Sequence, residues 1–215
     1  MGKVLIVIDM QNDFVTGTLG NKEAQAIVPN VQAKVKEYAD RGDRIIFTRD
    51  THEENYLDTP EGKKLPVKHC INGTEGWQIV PELEVENCEY IDKPTFGWLN
   101  WEGFGSNDEI ELVGVYTDIC VVSNALILKA KYPEAIISVD ASCCAGVTPE
   151  KHNAALETMK SCQIDVYGQE EYGKFLVVLC QKIFYNNLVY AVFSPPKGKK
   201  IMCMQSTYKA LSQLY

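Results

Sequence analysis

Six short apolar runs recur along the chain, each ending near a polar or turn residue: Val4–Ile8, Arg44–Thr48, Glu89–Asp92, Ile110–Val115, Ala135–Val139 and Gln163–Tyr167. Several are continuous and β-branched, the pattern of strands buried on both faces of a parallel sheet. The intervening segments carry helical spacing. Ile27, Val31 and Val35 recur every four residues ahead of Gly42, a natural helix stop. Cys120 to Lys131 reads as a second helix, with Val121, Ala125 and Leu128 on one face. Thr148-Pro149 opens a third, the threonine capping and the proline at the first helical position, with Leu156 and Met159 turned inward. Strands alternating with helices require right-handed crossovers. The expectation is a three-layer α/β/α fold around a six-stranded, mostly parallel, doubly wound sheet.

Two stretches depart from this rhythm. Residues 51–87 form a long connection with Pro and Gly and little periodicity, a kind of loop that usually carries function; it holds two of the three histidines. The third, His152, falls in the first turn of the last helix and reads as exposed. After Tyr167 the composition changes. Residues 168–215 hold six lysines, two glutamates and five of the eleven tyrosines. The chain therefore divides into a body over 1–167 and a C-terminal extension over 168–215. Phe175 to Phe193 is apolar, but Gln181, Lys182, Asn186 and Asn187 interrupt it where polar groups cost most in lipid. It reads as a strand or helix pair and not as a membrane span.

Composition narrows the class. Apolar residues make up 46% of the 215 residues, enough for a packed core. The net charge of −8 conceals an acidic body of −12 and a tail of +4. An acidic body argues against nucleic-acid binding, which needs clustered Lys and Arg. Eight cysteines without a CxxC pair fit neither zinc-ribbon spacing nor, with no signal peptide ahead of them, a secreted disulfide scaffold. The expectation is a reduced, cytoplasmic, globular protein.

In a doubly wound sheet, ligands bind beyond the carboxyl ends of the strands, where the strand order reverses. Strand one ends at Asp9, strand two at Asp50 and strand three at Lys93, and strand four runs through Tyr116-Thr117-Asp118-Ile119 into Cys120. An acid, a base and a thiol at neighbouring strand ends can form a nucleophilic centre. Asp9 would take the thiol proton and Lys93 would stabilise the thiolate. The N-terminus of the Cys120 helix would lower the thiol pKa further and offer N–H groups to an oxyanion. Asp50, His52 and His69, with Glu61 between, form a second constellation suited to a divalent ion such as zinc, manganese or iron.

Five motifs in register then bring out a resemblance: Asp9-Met10-Gln11-Asn12-Asp13-Phe14, Asp50-Thr51-His52, Gly73-Thr74-Glu75-Gly76, Lys93-Pro94-Thr95, and Gly114 through Cys120. Over residues 1 to about 167 the chain resembles the isochorismatase-like cysteine hydrolases, the superfamily that includes the nicotinamidases. The resemblance implies a catalytic triad of Asp9, Lys93 and Cys120. It also implies a cis peptide at Val115–Tyr116, with the N–H groups of Tyr116 and Cys120 forming an oxyanion hole. A metal would be held by Asp50, His52, His69 and, in some members, a residue matching Glu61, and Phe14 would form one wall for a substrate ring. The implied reaction is hydrolysis of a small carboxamide such as nicotinamide through a thioester, by an enzyme that is a homo-oligomer. A ureido, carbamoyl or enol-ether substrate on the same scaffold and a non-catalytic binding protein are the alternatives. Nicotinamidases often place an aromatic residue shortly before the last histidine, whereas this chain reads Pro66-Val67-Lys68-His69. The missing wall is sought in Trp98, Trp101 or Tyr116.

Overall fold

The computed structural model describes residues 2–169. In chain order the main elements are β1 (Lys3–Ile8), α1 (Asn12–Val15), α2 (Lys22–Arg41), β2 (Arg44–Asp50), α3 (Pro60–Lys64), β3 (Glu89–Lys93), β4 (Glu109–Val115), α4 (Val122–Lys131), β5 (Ile136–Ala145), α5 (Pro149–Ser161) and β6 (Asp165–Tyr167). The six strands form one sheet in the order β3-β2-β1-β4-β5-β6, and every pairing is parallel. Alternate side chains of β1 face opposite layers. Leu5 and Val7 pack with Ile27, Val31 and Val35 of α2, while Val4, Ile6 and Ile8 pack with Ala125 and Leu128 of α4 and Leu156 and Met159 of α5. The architecture is the expected three-layer α/β/α.

Local signals set the helix ends. The Asn21 side chain accepts the Ala24 N–H at 2.7 Å to start α2. Gly42, at φ 72°, closes it in the left-handed conformation. Thr148 caps α5 by accepting the Lys151 N–H.

Three boundaries differ from expectation. β5 runs on to Ala145, so Cys143 and Cys144 lie inside a strand and not after one. Asp140 and Ser142 interrupt the apolar run that a strand ending at Val139 was read from, and both are held by tertiary bonds. β6 begins at Asp165, because Gln163 takes a positive φ of 63° on leaving α5. α4 begins at Val122, with Cys120 in a wide π-type turn, Thr117–Val121, ahead of it. The segment Phe175–Phe193 lies outside the described residues. Among the described residues no helix is long and apolar enough to cross a membrane.

On the α2 side a polar cluster joins the last strands to the body. Lys34 reaches Glu111 and Asp140, each at 2.9 Å. The hydroxyls of Tyr38 and Tyr167 both donate to Glu111. Burial pushes the Asp140 carboxyl up, but bonds from Ser142 and Lys34 outweigh it and hold the group below its ordinary value. A depressed folded pKa stabilises above the unfolded value, and that stabilisation is lost as pH falls through the folded one. Stability is therefore expected to decline below about pH 4. Urea midpoints across the acid range, compared with an Asp140→Asn variant of shallower acid slope, check this.

Candidate active site

The strand order sets four side chains in sequence along the carboxyl edge: Lys93 from β3, Asp50 from β2, Asp9 beyond β1, and Cys120 beyond β4. Between β1 and β4 the order reverses, which opens a crevice there. Gly114 lets the two strands close up beneath it: at φ 114°, a Cβ would sit 2.1 Å from the Ile8 carbonyl oxygen. Asp9 itself has φ 49°, a left-handed conformation costing on the order of 1–3 kcal/mol for a non-glycine residue.

The structure brings Asp9, Lys93 and Cys120 together. Lys93 Nζ lies 2.7 Å from Asp9 Oδ2, 3.4 Å from Asp50 Oδ1 and 3.6 Å from Cys120 Sγ. Thr48 donates to the other Asp9 oxygen at 2.6 Å. Apart from the ionic contact with Lys93, Asp9 Oδ2 has no hydrogen-bond partner, so it is open to a proton from the thiol. Burial raises the Asp9 carboxyl, with Lys93 opposing, which moves a carboxylate toward general acid–base use. Burial acts against the Lys93 ammonium, but Asp9, Cys120 and Asp50 prevail and keep it charged.

The Cys120 thiol departs from expectation. Burial pushes it well above its ordinary value; Lys93 opposes this, and Asp9 and Asp50 reinforce it. Cys120 lies in the π-type turn that runs directly into α4 and not at the first residue of α4 itself. Asp9 is the group placed to take the thiol proton, with Lys93 beside both.

The Val115–Tyr116 peptide is cis. In the turn that follows, Ile119 and Val121 both donate to the Tyr116 carbonyl, and among the described residues no acceptor outside that turn is bonded to the N–H of Tyr116 or Cys120.

A second cluster borders the thiol. Asp50, His52, Glu61 and His69 each offer a ligand atom, and these atoms lie within 4.8 Å of one another. His52 Nε2 is buried without a hydrogen-bond partner, though only 2.9 Å from Asp50 Oδ2. His69 Nδ1 is bonded to the Val67 carbonyl at 2.8 Å, which leaves Nε2 facing Asp50. Fixing one imidazole nitrogen on a carbonyl is how proteins orient the other toward a metal. Burial and the nearby Asp50 charge raise the Glu61 carboxyl. Two carboxylates and two imidazoles converging on one point fit a divalent cation.

The opening motif acts largely as scaffold. Gln11 is buried and grips the Asp50 main chain on both sides: its Oε1 accepts the Asp50 N–H at 2.7 Å and its Nε2 donates to the Asp50 carbonyl at 2.9 Å. Asp13 accepts the Cys70 N–H at 2.7 Å, steadying the chain beside His69. Phe14 and Tyr116 wall the cavity as expected, their rings edge to face.

Trp98 does not line the cavity; it packs into the core with α4, and Phe96 takes the place expected of it. Two-residue alternation in an extended segment puts Phe96 and Trp98 on one side, but the chain bends at Gly97 and separates them. Trp101 is fully buried elsewhere in the core. The aromatic neighbour of the histidines is Tyr56, its ring centroid 4.6 Å from that of His52 and 4.9 Å from that of His69. Its position in an aperiodic loop offered no signal. His152 is not simply exposed: it is half-buried, and its Nδ1 meets the Thr117 hydroxyl at 2.8 Å in the turn carrying Cys120.

An isochorismatase domain model matches residues 3–171. The chain belongs to the isochorismatase family. Within that family it is 26% identical over 187 residues to a nicotinamidase/pyrazinamidase of Mycobacterium tuberculosis, covering 76% of this chain and 97% of that protein. It is 30% identical over 190 residues to a protein of Arabidopsis thaliana described as a probable inactive nicotinamidase, covering 80% and 95%. Among solved structures, the zinc complex of a Pyrococcus horikoshii pyrazinamidase superposes with a TM-score of 0.67 at 29% identity, covering 79% of this chain and all of that one. A nicotinamidase/pyrazinamidase of Bacillus subtilis gives 0.68 at 27% identity, covering 77% and 99%.

Proposed function

We propose that this isochorismatase-family protein is a cysteine amidohydrolase that converts nicotinamide to nicotinate and ammonia. One observation carries the reading: Cys120 and the Asp50–His69 cluster open onto the same cavity of about 370 Å³. Its walls are mostly apolar, including Phe14, Leu19, Tyr116 and Ile119, and suit a flat neutral ring. Among the described residues no lysine or arginine lines it.

In this reading Asp9 takes the Cys120 proton as sulfur attacks the amide carbon. The oxyanion faces the N–H groups of Tyr116 and Cys120. The C–N bond breaks, the nitrogen leaves as ammonia with the proton from Asp9, and a thioester remains. Water then adds, Asp9 takes its proton, and the C–S bond breaks to return the thiol and release the acid. Lys93 stays charged throughout and holds Asp9 and the sulfur in place. Asp50, His52, Glu61 and His69 would hold a zinc, manganese or iron ion, which supplies a Lewis-acid anchor for a ring nitrogen. The relatives' names and the zinc-bound neighbour support this assignment. The hydrolase domain is assigned to residues 1–167, and the C-terminal extension, 168–215, lies almost wholly outside the described residues.

The test is ammonia release from nicotinamide by reduced protein reconstituted separately with each metal. Turnover is expected to fall at least about tenfold on chelation and to return with a divalent ion. No turnover with any of the metals would remove the substrate assignment, and turnover indifferent to chelation would remove the metal.

A further inference from the structure

Asn124 stands one helical turn after Cys120 and is fully buried. Its carboxamide bonds only to main chain. Nδ2 donates to the Cys120 carbonyl at 2.8 Å and to the Phe96 carbonyl at 3.1 Å, and Oδ1 accepts the Trp98 N–H at 2.8 Å. Asparagine is a poor helix former and costly to bury unless satisfied, so packing alone does not account for it here.

The segment it grips follows directly on Lys93. The Thr95 carbonyl accepts from Lys93 Nζ at 3.3 Å, and Phe96 lines the cavity. Gly97 lies so close to α4 that a Cβ there would meet Ile127 Cδ1 at 2.5 Å. The contacts close a ring. From Cys120 Sγ it passes to Lys93 Nζ at 3.6 Å, on to Thr95, along the chain to Phe96, and through Asn124 back to the Cys120 carbonyl.

We propose that Asn124 is a positioning residue that keeps the Lys93–Trp98 segment in register with the nucleophile turn, holding the ammonium beside the thiol and Phe96 at the cavity wall. It acts through Lys93 and touches no reacting atom. The kinetic half of its test rests on the amidohydrolase reading, and the labelling half does not.

Two variants separate positioning from stability. Asn124→Leu removes all three bonds. Asn124→Thr keeps one, because a threonine hydroxyl can donate to the carbonyl four residues back, and loses both bonds to the Lys93–Trp98 segment. The readouts are the rate at which iodoacetamide labels Cys120 near neutral pH, resolved by peptide mass, and kcat and KM for nicotinamide. With Lys93 displaced, both variants are expected to label Cys120 at least about fivefold more slowly, through a smaller thiolate fraction. Their kcat should fall roughly tenfold or more with KM within about threefold of the parent. Labelling and kcat like the parent, with only a lowered melting temperature, would overturn the proposal. Should the leucine variant fail to fold, the threonine variant decides alone. Should the parent not hydrolyse nicotinamide, the substrate reading fails and the labelling rates still decide the role of Asn124.

Discussion

Cys120→Ser is expected to lower kcat for amide hydrolysis by about four orders of magnitude or more. A serine hydroxyl is far less acidic than a thiol, and the only base in reach is a carboxylate. Asp9 can exchange a proton with sulfur because burial makes it a stronger base than an ordinary carboxylate, and Lys93 opposes the burial that holds the proton on sulfur. The buried pocket would raise an alkoxide further still. The substitution removes no main-chain bond and alters volume little, so the melting temperature should hold within a few degrees. Ammonia release from matched parent and variant samples, alongside thermal melts, checks both halves. A serine variant with more than a hundredth of parental activity would point to a nucleophile elsewhere. The other described cysteines are poor candidates: among the described residues none of Cys70, Cys88, Cys143, Cys144 and Cys162 has a lysine bonded at Sγ as Cys120 has Lys93.

Lys93→Met should be the most destabilising single change in the site. The ammonium is inaccessible to solvent and stands between Asp9 and Asp50, at 2.7 and 3.4 Å. Without it the buried Asp9 carboxylate has no cation beside it, while Asp50 keeps its contacts with His52 and His69, and breaking a buried pair in this way costs about 3–5 kcal/mol. Activity is lost as well, since Asp9 becomes protonated and the thiolate loses its counter-ion. The double variant Asp9→Asn/Lys93→Met removes both charges of the shorter pair. It is expected to recover much of the stability and none of the activity. Urea unfolding of the parent, both single variants and the double variant, at equal metal content, measures the coupling. A double variant no more stable than Lys93→Met would mean that packing of the lysine stem, and not charge, supports the site.

The strand-end residues were legible because of what buried strands require. A parallel strand covered on both faces must be apolar until it leaves the sheet, so the first polar residue after each run marks the carboxyl edge. That logic reaches Asp9 directly; in β2 and β3 the polar residues Thr48, Arg49 and Asp92 come first, and Asp50 and Lys93 are reached only as the last residues of their strands with the motif order behind them. It fails at β5, where Asp140 and Ser142 are polar inside a strand and compensated by Lys34 and by each other. It fails again at Trp98, whose direction depends on a bend at Gly97 that alternation does not register. Tyr56 and Asn124 belong to the same class. Their roles come from partners distant in the chain, at His69 and at Phe96 and Trp98.

Polar punctuation of apolar runs, together with motif order, thus determined the layered fold, the family resemblance, and the residue types at the head of four strands. Those are consequences of burial and of local backbone chemistry, which a linear sequence carries directly. The electrostatic state of the site was decided only in three dimensions. Read along the chain, Cys120 should have been an activated thiolate at a helix N-terminus. In the folded protein it lies in the turn leading into the helix, where burial and two nearby carboxylates push its pKa up against the pull of Lys93. Solvation and pairwise charge depend on the distances between residues from different strands, and only tertiary packing sets those distances.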